Sequence, residues 1–170
     1  IGAITSTIKT TGTSSDVLYV PRGIELVAVG VAAVAGAIRG CREDLDLVGV
    51  TVLAIVTGLG GGLLRDIILP TYDIYMLENS IVILVCILAA VLVFYFEKII
   101  ASLKGPMNAA DIVSVGMFAF IGAEKALLFE YTVLPCILIG SITALGGGML
   151  RDIMLGQTPQ IFKQGNFYGI

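Results

Sequence analysis

The chain contains no histidine and no tryptophan, and only three of its 170 residues are cysteine. Without histidine there is no Ser-His-Asp triad and no imidazole general base. A zinc site of the usual Cys/His type would need more ligands than three cysteines supply. Three cysteines cannot all pair, and Cys86 and Cys136 sit inside apolar runs. They read as inert buried thiols. Charge is also scarce, at 14% of residues against the roughly 25% of a soluble domain. Ten Lys/Arg against thirteen Asp/Glu leave a net charge of −3. No basic patch is available to hold a nucleic acid. Disorder is excluded as well, because it requires low hydrophobicity and high charge.

What the chain does contain is apolar surface. Hydrophobic residues make up 57%, and the mean hydropathy is +1.00. Five apolar stretches, near 21–40, 47–69, 79–97, 108–129 and 131–155, approach or exceed the roughly 20 residues that span a bilayer. These stretches predict an all-α, polytopic membrane helix bundle. Residues 1–20, rich in Thr and Ser, read as a polar tail with no basic segment leading into an apolar core. That pattern is not a signal peptide. The final residues, NFYGI, look like the start of a sixth span, so the sequence reads as truncated. Arg39, Arg42, Lys98 and Lys104 gather around the loops after spans one and three, while the loop after span two has no Lys or Arg. The asymmetry of cations predicts those two loops in the cytoplasm and the N-terminus outside. Lys9 and Arg22 weigh weakly against that orientation.

An internal repeat organises the sequence. TGLGGGLLRDIIL at 57–69 returns as TALGGGMLRDIML at 143–155, an offset of 86 residues. Without gaps, residues 25–69 match residues 111–155 at 16 of 45 positions. The offset aligns Glu25 with Asp111, Gly30 with Gly116, Gly36 with Gly122 and Arg39 with Lys125. Residues 21–105 form a first repeat of three spans, and 106–170 form a second, incomplete one. An odd number of spans per repeat makes the second copy enter the membrane from the opposite side. Such inverted repeats are the architecture of many transporters.

The repeated motif supplies the candidate functional residues. Three consecutive glycines, Gly60-Gly61-Gly62 and Gly146-Gly147-Gly148, weaken a helix by roughly 1 kcal/mol each relative to Ala. At 100° per residue Thr57, Gly61 and Arg65 share a stripe, as do Thr143, Gly147 and Arg151. A hydroxyl, bare backbone and a guanidinium would suit the wall of a polar path. Small residues four apart, as in Gly58/Gly62, equally suit close helix packing. Both readings are open, and they are compatible. A phosphate loop is a poor reading, because GGGLLRD lacks the Lys-Ser/Thr that follows a Walker glycine and no strand precedes it.

Arg65-Asp66 and Arg151-Asp152 lie near their helix ends. Each arginine is expected either to snorkel beside a local Asp partner or to form a charged constriction at a pore mouth. Glu124-Lys125 falls between apolar stretches, where the lysine can gate a pore, meet an anionic lipid head group or snorkel. Glu25 and Asp111 open spans one and four and read as acids placed for the helix dipole. Glu43, Asp44 and Asp46 read as a solvated loop.

The doubled TxLGGGxLRD motif, the repeat spacing and GAEKAL around Lys125 resemble the trimeric intracellular cation (TRIC) channel family, in its bacterial and archaeal branch. The resemblance covers about residues 22–170. It implies seven helices per protomer, built as two inverted three-helix repeats plus one, and assembled as a homotrimer. It implies an hourglass pore in each protomer that passes monovalent cations, mainly K⁺. Helices two and five would be kinked at the glycine triplets, with Lys125 near the pore. No cofactor is implied beyond the permeant ion and bound lipid. Animal members carry Lys-Glu-Val at this lysine, whereas the order here is Glu124-Lys125-Ala126. Relatives in the same superfamily are often labelled as a glycine-transporter domain. The alternative function is therefore secondary transport of a small solute such as glycine.

Overall fold

The computed structural model describes residues 22–70, 80–96 and 106–162. Residues 1–21, 71–79, 97–105 and 163–170, which include the expected polar tail and the expected start of a sixth span, lie outside the described residues. Among the described residues there are five α-helices: α1 (Arg22–Arg42), α2 (Leu47–Ile68), α3 (Ser80–Tyr95), α4 (Pro106–Leu128) and α5 (Val133–Met154). A single 3₁₀ turn, Gln160–Phe162, follows α5. Among the described residues there is no strand.

The repeat persists down to the turns. Asp44 and Glu130, 86 residues apart, both take positive φ, at 54° and 58°. Each reverses the chain after the first helix of its repeat. The turn is closed by Leu45 N–H on the Gly40 carbonyl and, equivalently, by Tyr131 N–H on the Ala126 carbonyl. These are left-handed helix ends, which satisfy carbonyls that the helix leaves orphaned. The next helices start at equivalent N-caps, Asp46 and Thr132. The Asp46 carboxylate accepts from Gly49 N–H at 2.8 Å. Thr132 makes no such bond. The residue corresponding to Gly49 is Pro135, which has no N–H to give.

Among the described residues, three helical segments are long and apolar enough to cross a membrane: Gly23–Arg42, Leu47–Ile68 and Val133–Met154. The other two predicted spans are also helical where they are described, as α3 with 16 residues and α4 with 23, the latter carrying Asp111, Glu124 and Lys125. Large apolar side chains such as Val27, Leu84, Leu88, Leu134 and Leu138 point outward. That is the inverse of a soluble surface and fits contact with lipid tails.

Inside, small residues set the spacing. Ala28, Ala32, Ala33 and Ala37 of α1 are buried, together with Ala54 of α2 and Ala89 and Ala90 of α3. Backbones can approach closely where side chains are this small. Helix α1 packs on α2, α3 and α4; α4 packs on α5; and α2 crosses α5 at the centre. All three cysteines are buried as free thiols, as expected for Cys86 and Cys136.

Candidate functional site

The two glycine triplets meet. A Cβ built on Gly61 would run into the Thr143 carbonyl oxygen, and one on Gly147 would run into the Thr57 carbonyl oxygen. A Cβ on Gly60 would stand 2.8 Å from Leu150 Cδ1, and one on Gly146 2.7 Å from Leu64 Cδ1. These four contacts form two pairs related by the 86-residue offset. Gly62 is buried in α2, and Gly148 is half-buried in α5. Both helices are continuous through their triplets.

The two threonines of the stripe are enclosed. Thr57 is 3% exposed and donates its hydroxyl to the Leu53 carbonyl at 2.6 Å. Thr143 is fully buried and donates to the Ile139 carbonyl at 2.7 Å. Each sits in a hollow left by a glycine of the neighbouring helix. A Cβ on Gly36 would be 2.5 Å from Thr57 Oγ1, and one on Gly122 would be 2.5 Å from Thr143 Oγ1. Of the two readings left open for the stripe, close packing describes this conformation.

The charges assemble into two clusters at opposite ends of the bundle. In the first, Arg65 donates through Nη2 to Glu25 Oε1 at 3.0 Å and through Nε to Asp66 Oδ1 at 2.8 Å. Lys125 Nζ lies 3.4 Å from the same Asp66 oxygen. In the second, Arg151 Nη1 contacts both oxygens of Asp111, at 2.8 and 3.1 Å, and Nε donates to Asp152 Oδ1 at 3.0 Å. The other Asp152 oxygen accepts from Gln160 N–H at 3.0 Å. Each cluster joins an acid near the start of one helix to the Arg-Asp pair at the end of the next. The ends are well separated, because Glu25 and Arg39 are 14 residues, about 21 Å, apart on α1.

Two expectations are corrected here. Neither arginine snorkels: Arg65 is 0% and Arg151 1% exposed. A buried guanidinium is tolerated only when carboxylates neutralise it and its donors find acceptors. The expected local partners, Asp66 and Asp152, are present, but a second acid is needed. That second acid is the other correction. Glu25 lies in the first turn of α1, whereas Asp111 lies beyond the first turn of α4 and is not placed for its dipole; each instead binds an arginine forty residues downstream. The repeat alignment of Glu25 with Asp111 was the available signal. Arg65 retains one buried nitrogen, Nη1, with no acceptor.

Lys125 reaches from the second repeat into the first. Its side chain is 26% exposed, and its neighbour Glu124 is half-buried. Its repeat mate Arg39 does not make the equivalent contact with Asp152. Arg39 instead donates to Gln157 Oε1 and pairs with Glu43 at 3.3 Å. Gln157 Nε2 in turn donates to Glu43 Oε1 at 3.0 Å. Glu43 is thus tied into a side-chain ring rather than simply solvated. No sequence pattern pointed to Gln157.

An apolar helix bundle with paired charges at both ends fits a membrane protein. The comparisons agree. The family model described as "Glycine transporter" matches residues 23–98 and 108–170. The chain belongs to this family. It is 29% identical over 157 residues to a "UPF0126 membrane protein" of Vibrio cholerae, covering 90% of this chain and 63% of that one. It is 30% identical over 155 residues to a "UPF0126 membrane protein" of Deinococcus radiodurans, covering 91% and 71%. The chain thus spans about two thirds of the length of these relatives. Among solved structures, the TRIC trimeric intracellular cation channel orthologue from Rhodobacter sphaeroides is 31% identical, with a TM-score of 0.78. That match covers 84% of this chain and 74% of the other. The resemblance to the prokaryotic TRIC branch therefore holds in fold as well as in motif, and the chain is a membrane protein.

Proposed function

We propose that this chain forms a K⁺-permeable monovalent cation channel, with an ion path inside each protomer of a homotrimer. The observation that carries the reading is the match in fold and sequence to a solved trimeric cation channel over 84% of the chain. The charge geometry supports it. Cationic residues at a pore would repel K⁺, but Arg65 and Arg151 are each held by two carboxylates. In this reading the two clusters stand at the two mouths, and the α2–α5 glycine crossing is the waist of an hourglass. Bending at Gly60–Gly62 and Gly146–Gly148, where helices hold together least firmly, opens the waist. Lys125 gates one mouth by leaving and rejoining Asp66. The protein lies in the cell membrane with its N-terminus outside and its 1–2 and 3–4 loops in the cytoplasm.

A second reading is a carrier for a small solute such as glycine. The specific observation in its favour is Arg65 Nη1, a buried donor with no acceptor, which could take a substrate carboxylate. Planar-bilayer recording of the purified protein in K⁺ gradients, with and without glycine, separates the two. Unitary currents reversing near the K⁺ equilibrium potential are expected. Electrical silence with saturable glycine uptake into liposomes would replace the channel with the carrier.

A further inference from the structure

The two ends of the molecule obey the repeat in three relationships and break it in a fourth. Glu25 corresponds to Asp111, Arg65 to Arg151 and Asp66 to Asp152, and each makes its equivalent contact. The fourth pair is Lys125 and Arg39. Lys125 approaches Asp66, whereas Arg39 is turned away from Asp152 and held by Gln157 and Glu43.

The cause is the turn after α5. Gly156 takes φ +66°, and Gln157 N–H donates to the Asp152 carbonyl at 2.9 Å. The chain then returns so that Gln160 N–H caps the Asp152 carboxylate. Gln157 is thereby placed directly beside Asp152 in the chain path, with its amide spanning to α1. There it accepts from Arg39 and donates to Glu43, closing a ring of three side chains. Both functions of the amide are used, which fixes its orientation.

The charge balance follows. Asp111, Asp152 and Arg151 together carry one excess negative charge, and Arg39 spends its own charge on Glu43. We propose that Gln157 is a positioning residue: it holds Arg39 on Glu43 and off Asp152, and so leaves the unbalanced negative charge of this end on the Asp111–Arg151–Asp152 cluster, where it faces entering cations. The mouth at Lys125 has its cation on the acid, and the mouth at Gln157 does not. The two mouths are unequal, and the inequality resides in a neutral amide. This inference rests on the channel reading.

The test is bilayer recording of Gln157→Ala, in which Arg39 keeps only its Glu43 pair and can swing to Asp152. Gln157 lies half-buried in a surface turn, so its truncation leaves the helix bundle intact. Conductance should fall roughly two- to three-fold for K⁺ entering at this end, the effect of one unit charge at about 7 Å in water. It should hold for K⁺ entering at the other end, so the current becomes rectifying. The K⁺ over Cl⁻ permeability ratio should fall with it. Adding Arg39→Gln to Gln157→Ala should restore the lost conductance, because no cation remains to move. A conductance unchanged in both directions, an equal loss in both directions, or failure of the double variant to recover would each overturn the proposal. A silent wild-type protein would instead overturn the channel reading, and the inference with it.

Discussion

Gly61 of α2 and Gly147 of α5 are each placed so that a single added methyl group would strike the backbone of the opposite helix. The obstacle is a carbonyl oxygen in a helix, which cannot swing aside as a side-chain end can. Gly61→Ala or Gly147→Ala must therefore push the two central helices apart. Overpacking of this kind costs about 1–3 kcal/mol, and the backbone obstacle argues for the upper end. Gly116→Ala is the internal control, because nothing lies within 4 Å of the Cβ it would add. That variant should gain up to about 1 kcal/mol from helix propensity. Thermal unfolding in detergent should order the proteins Gly116→Ala, wild type, then the two crossing variants.

The buried arginines make a second prediction. Arg151→Gln leaves Asp111 and Asp152 together with no guanidinium, and breaking a buried pair costs about 3–5 kcal/mol. Arg65→Gln should cost less, since Lys125 remains beside Asp66 and one Arg65 nitrogen already lacks an acceptor. Replacing Asp111 by Asn alongside Arg151→Gln should recover part of the loss, by removing one of the stranded charges. Folded yield and midpoint of unfolding measure all three. Equal loss in the two single arginine variants would show that the ends are energetically alike.

Much of this arrangement was legible in the sequence. The predicted spans 47–69 and 131–155 lie within two residues of α2 and α5, because apolar runs bounded by polar turns have few alternatives in a bilayer. The 86-residue offset reached further than the helices, into the paired turns at Asp44 and Glu130. The ion pairs were harder to read. Snorkelling is a property of one helix in lipid, whereas the burial of Arg65 and Arg151 depends on a second helix bringing Glu25 or Asp111 alongside. Glycine packing was ambiguous for a related reason. A stripe of Thr, Gly and Arg looks the same whether it faces water or another stripe of its own kind. Gln157 left no trace, since the motif ends before it: Gly156-Gln157 stand where the first repeat has Pro70-Thr71.

Lys125 separates stability from transport. Its side chain is 26% exposed and lies 3.4 Å from Asp66 Oδ1. A partly exposed pair of this kind contributes about 1 kcal/mol or less. Lys125→Ala should therefore unfold close to the wild-type temperature. Under the proposed function its open probability or unitary conductance should nonetheless change, and single-channel recording checks this. Wild-type behaviour on both counts would remove Lys125 from the candidate site.

The threonines test whether the central crossing meets ions through its hydroxyls. Thr57 Oγ1 already donates to Leu53 within its own helix, and the side chain fills the hollow at Gly36. Valine has the same branched shape and no hydroxyl, so Thr57→Val keeps the packing and gives up one bond worth about 1 kcal/mol. Thr143→Val is the equivalent change against Gly122. If packing is the role of these residues, each variant should fold and conduct K⁺ at the wild-type level. A pore-lining role predicts otherwise, because a hydroxyl that replaces part of the hydration shell of K⁺ has no substitute in valine. Conductance falling in both variants, with folded yield preserved, would place the ion path along the Thr57 and Thr143 stripe. It would also mean that the α2–α5 crossing opens far enough to turn both hydroxyls toward the ion.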